Sequence, residues 1–172
     1  MSTLFVAAIL VGSLVLICLL LIRTHNKHKR EAMNHIFRHF SQSGIENSLS
    51  FSSQEILHHC IFGLDNTNHK ILVVTREDNL YSSFVIDLSE VKNCAVKKIY
   101  GTTNAGDLKP HALDQYLEKI VLQFELHHKP SLEIVFYKNI INHVYETQEL
   151  EQKAKHWETI LSKMIRPLKN IA

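Results

Sequence analysis

Residues 120–137, which read Ile-Val-Leu-Gln-Phe-Glu-Leu-His-His-Lys-Pro-Ser-Leu-Glu-Ile-Val-Phe-Tyr, contain two runs in which apolar side chains recur at every second position. The first run ends at Leu126 and the second begins at Leu132. The intervening His127-His128-Lys129-Pro130 is rich in polar residues and proline, as turns are. A period of two predicts strands with one buried face, and so short a connection predicts an antiparallel hairpin.

Four shorter apolar runs precede this hairpin, and polar, turn-forming residues separate them. They are Cys60–Phe62, Ile71–Val74, Phe84–Leu88 and Cys94–Tyr100. With the hairpin they predict a sheet of about six to seven strands. Because the connections are mostly short, neighbouring strands are expected to be antiparallel.

After Thr147 the period changes to that of a helix. Thr147 is a candidate N-cap and Pro167 a candidate stop. We expect Trp157, Phe124 and Phe136 to lie in the core. The apolar stripe of the helix consists of Leu150, Ala154, Trp157, Leu161 and Met164. The sequence therefore predicts an α+β chain whose antiparallel sheet is capped by a C-terminal helix.

Two segments resemble bacterial pleckstrin-homology-like (PH-like) domains. One is the strand–turn–strand segment Phe84-Val-Ile-Asp-Leu-Ser-Glu-Val-Lys-Asn-Cys94, and the other is the helix with Ala154, Trp157 and Leu161. The resemblance covers residues 55–166 and implies a bent sheet or barrel plugged by the tryptophan. The chain as a whole resembles small membrane-anchored proteins of Bacteroidetes-type bacteria. PH-like domains serve as docking or scaffold modules, so the resemblance implies no catalytic residue.

The N-terminal residues 4–22 form an apolar run without a charge. As a helix, a run of this length measures ~28 Å, close to the ~30 Å hydrocarbon core of a bilayer. It predicts a transmembrane helix. A cleaved signal peptide is the alternative, but no basic residue precedes Leu4.

Four basic residues follow the apolar run at once: Arg23, Lys27, Lys29 and Arg30. By the positive-inside rule they predict a single-pass protein of the cell membrane with its C-terminal domain in the cytoplasm. They are also the candidate membrane-interface residues, with anionic lipid headgroups as partners. Residues 40–172 carry more acidic than basic side chains, so no nucleic-acid partner is expected.

The predicted organisation is a short tail over 1–3, a transmembrane helix over 4–22, a basic amphipathic juxtamembrane helix or linker over 23–44, a PH-like domain over 45–168 and a tail over 169–172. In the juxtamembrane helix, Met33, Ile36, Phe37 and Phe40 share one face. That face could rest among lipid headgroups or pack on the folded domain. Gly44 is the predicted end of the helix.

The twelve histidines suggest a second kind of chemistry. His35 and His39 are four residues apart, so both imidazoles lie on one helical face at a spacing that can hold zinc. His28 lies one heptad earlier on the same stripe, but no Cys, Asp or Glu completes the set on that face. These two histidines are candidate metal ligands, and the alternative is that they are simply polar residues of an exposed surface.

Motifs for catalysis are absent from the sequence. It contains no Gly-x-Ser-x-Gly, no Walker loop, no Cys-x-x-Cys and no Gly-rich dinucleotide turn. We therefore expect no enzyme, no catalytic residue and no cofactor. The predicted function is a non-catalytic, membrane-anchored scaffold or docking module that presents a PH-like domain to a protein partner. The alternative is a histidine-dependent metal-binding or pH-responsive membrane protein.

Overall fold

The computed structural model describes residues 3–77, 80–101 and 116–165. A long helix comes first, seven strands follow, and a short 3-10 turn leads into a second helix. The elements are α1 (Thr3–Glu46), β1 (Ser53–Ile56), β2 (Cys60–Asp65), β3 (Lys70–Glu77), β4 (Leu80–Asp87), β5 (Val91–Tyr100), β6 (Leu117–Leu126), β7 (Leu132–Lys138), the 3-10 turn Val144–Glu146 and α2 (Thr147–Met164).

The described strands form two antiparallel sheets, ordered β1-β2-β3-β4 and β5-β6-β7. The chain is therefore α+β. The hairpin predicted from residues 120–137 is confirmed: Leu122 pairs with Ile134 and Phe124 with Leu132. Strand β1 lies outside every predicted run, because its residues are mostly exposed and have no apolar period.

The main core lies between the two sheets and under α2. Trp157, Phe124 and Phe136 are buried there, as predicted. The ring of Trp157 meets that of Phe62 edge-on at a centroid distance of 4.8 Å, and Phe62 meets Phe136 at 5.7 Å. Helix α2 begins at Thr147 with Glu146 in the N-cap position, so the prediction of Thr147 as N-cap is wrong by one residue. Pro167 lies outside the described residues.

A second, smaller core lies on the opposite face of the four-stranded sheet. Ile36 and Phe40 of α1 pack there on Ile61, Leu72 and Val74. Strands β2 and β3 are consequently buried on both faces, which accounts for their unbroken apolar runs. Of the two expectations for the amphipathic helix, the structure shows packing on the folded domain.

Two glycines allow this close packing of α1. A Cβ atom on Gly44 would lie 2.7 Å from Cε2 of Phe51, and one on Gly63 would lie 2.6 Å from Cζ of Phe40. The Phe40 and Phe51 rings stack at 4.5 Å. The predicted helix end at Gly44 is wrong, since α1 continues to Glu46 and the left-handed residue is Ser48, with φ of 54°.

The prediction of a transmembrane helix over 4–22 is also corrected. Among residues 3–77, 80–101 and 116–165, no helix is long and apolar enough to cross a membrane. The apolar run does not form a helix of its own, because it is the first part of the continuous 44-residue α1, whose later part carries charged residues and packs on the sheet. The predicted single-pass location at the cell membrane, with a cytoplasmic C-terminal domain, depended on that transmembrane helix. This prediction is therefore wrong for the same reason.

A candidate docking site between strand β7 and helix α2

The residues that the sequence singled out lie along α1. Arg23 is exposed, whereas the side chains of Lys27, Lys29 and Arg30 lie outside the described part of the chain. Their contact with anionic lipid headgroups stays a prediction.

The candidate metal ligands His35 and His39 are both exposed. The His39 ring stacks on Tyr81 of β4 at a centroid distance of 4.4 Å. Within the described residues, no group of three His, Cys, Asp or Glu side chains is placed to hold a metal ion. The structure therefore brings no further ligand to this pair among those residues.

The connection from β7 to α2, residues 139–146, presents an exposed apolar surface. Ile140 is 84% exposed and Tyr145 is 79% exposed, and Val144 and Ile141 are exposed beside them. Large apolar side chains clustered in this way on a protein surface are typical of binding sites. We call these residues the β7–α2 loop.

The backbone of the β7–α2 loop is held by turns. The carbonyl oxygen of Lys138 accepts hydrogen bonds from the N–H groups of Ile141 and Asn142, each at 2.9 Å. The N–H of Glu146 then donates to the carbonyl oxygen of His143 at 3.0 Å, closing the 3-10 turn that leads into α2. Because both turns are closed, the apolar side chains project from an ordered backbone.

Asn142 is only 6% exposed, and its side chain connects the β7–α2 loop to neighbouring residues by hydrogen bonds. Its Oδ1 accepts a hydrogen bond from the N–H of Lys138 at 3.0 Å. Its Nδ2 donates to Oε2 of Glu146 at 3.2 Å and contacts Nδ1 of His58, in the β1–β2 turn, at 3.2 Å. Because this amide is buried and both of its polar atoms are hydrogen-bonded, it holds the loop in one position. His58, Asn142 and Glu146 are called the Asn142 cluster below.

Glu146 is held as a carboxylate. Burial opposes its charge, but hydrogen bonds from the Asn142 side chain and the His143 N–H lower the pKa of this carboxyl. The bond from the His143 N–H to Oε2 measures 3.1 Å. At neutral pH the Asn142 cluster therefore contains one fixed negative charge.

A small cavity of about 110 Å³ adjoins the β7–α2 loop. Lys153 is one of its lining residues, with Nζ 3.4 Å from Oε1 of Glu55 and 3.3 Å from Oε1 of Glu149. Nearby, the rings of His143 and Tyr145 stack at 5.2 Å. The cavity is lined by Ile56, Leu57, His58, Glu146, Glu149, Leu150 and Lys153. An apolar surface with a polar rim is the usual composition of a protein–protein interface.

Sequence reasoning missed this site. Residues 140–145 read Ile-Ile-Asn-His-Val-Tyr, with four apolar side chains at positions 140, 141, 144 and 145, a spacing that would place them on one face of a helix. An apolar segment in the connection between a strand and a helix is the signal that could have found the site, since loops are usually polar. His58 lies in the turn between β1 and β2, outside the apolar runs that predicted strands.

Comparison of the chain with protein-family models, with curated proteins and with solved structures found no match.

Proposed function

We infer that this chain is a non-catalytic docking module of PH-like architecture that binds a protein partner through the β7–α2 loop. The order of elements supports the PH-like part, because four antiparallel strands, three antiparallel strands and a closing helix follow one another. The observation that carries the function is the exposed apolar loop held by the buried Asn142.

The side chains of the β7–α2 loop suit a protein surface. Tyrosine contributes large contact area at a small cost in side-chain entropy, and isoleucine fills apolar pockets. Because hydrogen bonds already order the loop, little further conformational entropy is lost when a partner binds. Glu146 and Glu149 at the edge could then orient a partner that carries basic side chains around an apolar centre.

Site-specific photocrosslinking in the full-length chain tests this function. A photoreactive phenylalanine analogue replaces Ile140 or Tyr145, and the matched control replaces His128 in the β6–β7 turn at the other end of β7. We expect one discrete protein adduct from both loop positions and none from the control. The adduct should disappear when Val144→Asp is added.

Three results would contradict the proposed function. They are an equal adduct from position 128, adducts with lipid alone, and an adduct that survives Val144→Asp. Val144 is 69% exposed, so the substitution leaves the core untouched and a loss of crosslinking reports on the surface.

A further inference from the structure

We propose that the Asn142 cluster is a pH-sensitive switch that orders the β7–α2 loop while His58 is neutral and loosens it when His58 is protonated. Its effect on partner binding rests on the proposed function, but its effect on the loop does not. The inference is drawn from the orientation of the Asn142 side-chain amide.

The orientation of the Asn142 amide is determined by the backbone. The N–H of Lys138 can only donate, so the atom facing it at 3.0 Å is the oxygen Oδ1. Nδ2 therefore faces Nδ1 of His58, and since Nδ2 can only donate, Nδ1 must accept. The bond thus requires neutral His58 with its proton on Nε2.

Protonation removes this hydrogen bond. An imidazolium carries N–H on both ring nitrogens, so Nδ1 would direct a hydrogen at the Nδ2 hydrogens of Asn142. Turning the amide over does not help, because Nδ2 would then face the Lys138 N–H and would lose its bond to Glu146. One buried donor of Asn142 is left without its partner.

The charged groups around His58 favour a rearrangement. The carboxylate of Glu146 accepts a hydrogen bond from the same Nδ2 atom of Asn142 and attracts the imidazolium. Nδ1–H of His58 can then compete with Asn142 for Oε2 of Glu146. In the described part of the chain, the other titratable and charged groups near His58 include His59, His143, Glu149 and Lys153.

Unlike His58, none of these four groups, all of them within the described residues, is hydrogen-bonded to the side chain of Asn142. Burial, with the charge of nearby Lys138, lowers the pKa of His59, so this ring becomes charged only below the usual range of histidine. Lys153 is paired with Glu55 and Glu149. His143 stacks on Tyr145 and contributes its backbone N–H to the cluster.

The test is a nuclear magnetic resonance titration of the ¹⁵N-labelled full-length chain from pH 7.5 to 5.5. We expect the Asn142 side-chain amide signals to shift along one titration curve that coincides with the ¹⁵N signals of His58. Hydrogen exchange of the backbone amides in 139–146 should accelerate at least threefold at pH 5.5, after correction for the intrinsic pH dependence.

Two variants separate the switch from general effects of acid. His58→Gln retains an acceptor and does not titrate, so its Asn142 signals and loop exchange should not change. His128→Gln, at the far end of β7, should leave the wild-type response intact. An Asn142 amide that stays unchanged while His58 titrates, or a response that persists in His58→Gln, would overturn the proposal.

The outcomes for this switch and for the proposed function are distinguishable. Because the titration needs no partner, a pH response without any protein crosslink supports the switch and contradicts docking. If both hold, crosslinking from position 140 should fall at least threefold between pH 7.5 and 5.5 in the wild type and stay constant in His58→Gln.

Discussion

The indole Nε1 of Trp157 in α2 donates a hydrogen bond to Oε2 of Glu55 in β1, over 3.1 Å and across 102 residues of sequence. The ring itself is buried against Phe62. This one side chain therefore connects the closing helix to the edge of the four-stranded sheet and also fills the core between the sheets. Because the acceptor is a carboxylate, which also pairs with Lys153 through Oε1, the bond is charge-assisted.

Replacing Trp157 should separate its two roles. Trp157→Ala should lower the free energy of unfolding by about 3–5 kcal/mol, because it leaves a cavity between the sheets. Trp157→Phe keeps a ring, loses the hydrogen bond and should cost less. Glu55→Gln, which retains an acceptor, is the control. Urea unfolding measures all three, and equal losses for Ala and Phe would contradict the packing role.

The contact of α1 with the sheet should be sensitive to one methyl group. Gly63→Ala places a Cβ against Phe40 and Phe51, and Gly44→Ala places one against Phe51. Each should destabilise the chain by about 1–3 kcal/mol through overpacking. Gly101→Ala is the matched control, because its Cβ would meet only the flexible end of Glu118. Thermal unfolding that ranked the control with the other two would contradict this account.

Asp65 should make stability depend on acid pH. Hydrogen bonds from the N–H groups of Asn68 and Ser50 are the main causes that lower its pKa to about 2. Since the folded pKa lies below the unfolded value, this stabilisation is complete above about pH 4 and is lost as the pH falls towards 2. Urea unfolding of wild type and Asp65→Asn from pH 7 to 2 should show the two stabilities converging in acid. A constant difference would contradict the assignment.

The three cysteines should differ in reactivity. Burial raises the pKa of the Cys60 thiol to about 12 and that of Cys94 to about 12, and both side chains are buried. Cys18 is exposed. Iodoacetamide at pH 8 should therefore alkylate only Cys18 in the native chain and all three in urea, as read by peptide mass spectrometry. Native modification of Cys60 at the rate of Cys18 would show that its strand opens.

The β7–α2 loop should separate binding from stability. Ile140→Ser with Tyr145→Ser should change the free energy of unfolding by no more than about 0.5 kcal/mol, because both side chains are exposed. Asn142→Ala should cost about 1–3 kcal/mol, since the N–H of Lys138 and the carboxylate of Glu146 lose a partner. Urea unfolding tests this, and a large loss in the double serine variant would show that the loop is part of the core.

Several parts of the fold were predictable because their signals are local. The period of two in residues 120–137 is enough to specify the β6–β7 hairpin, since a strand with one buried face needs no distant information. The same holds for the α2 stripe around Trp157. The apolar run at 4–22 shows the limit of this reasoning, because composition over a short window did not reveal one continuous helix from Thr3 to Glu46.

By itself, the sequence determined the α+β class, the antiparallel hairpin and the buried face of α2. Each of these is signalled by a pattern of apolar side chains that are no more than four residues apart. Only the tertiary structure decided that Phe51 lies against Gly44 and Gly63, and that His58 reaches Asn142 from 84 residues away. Those contacts depend on which faces meet after the chain has folded, and no periodicity within one segment records them.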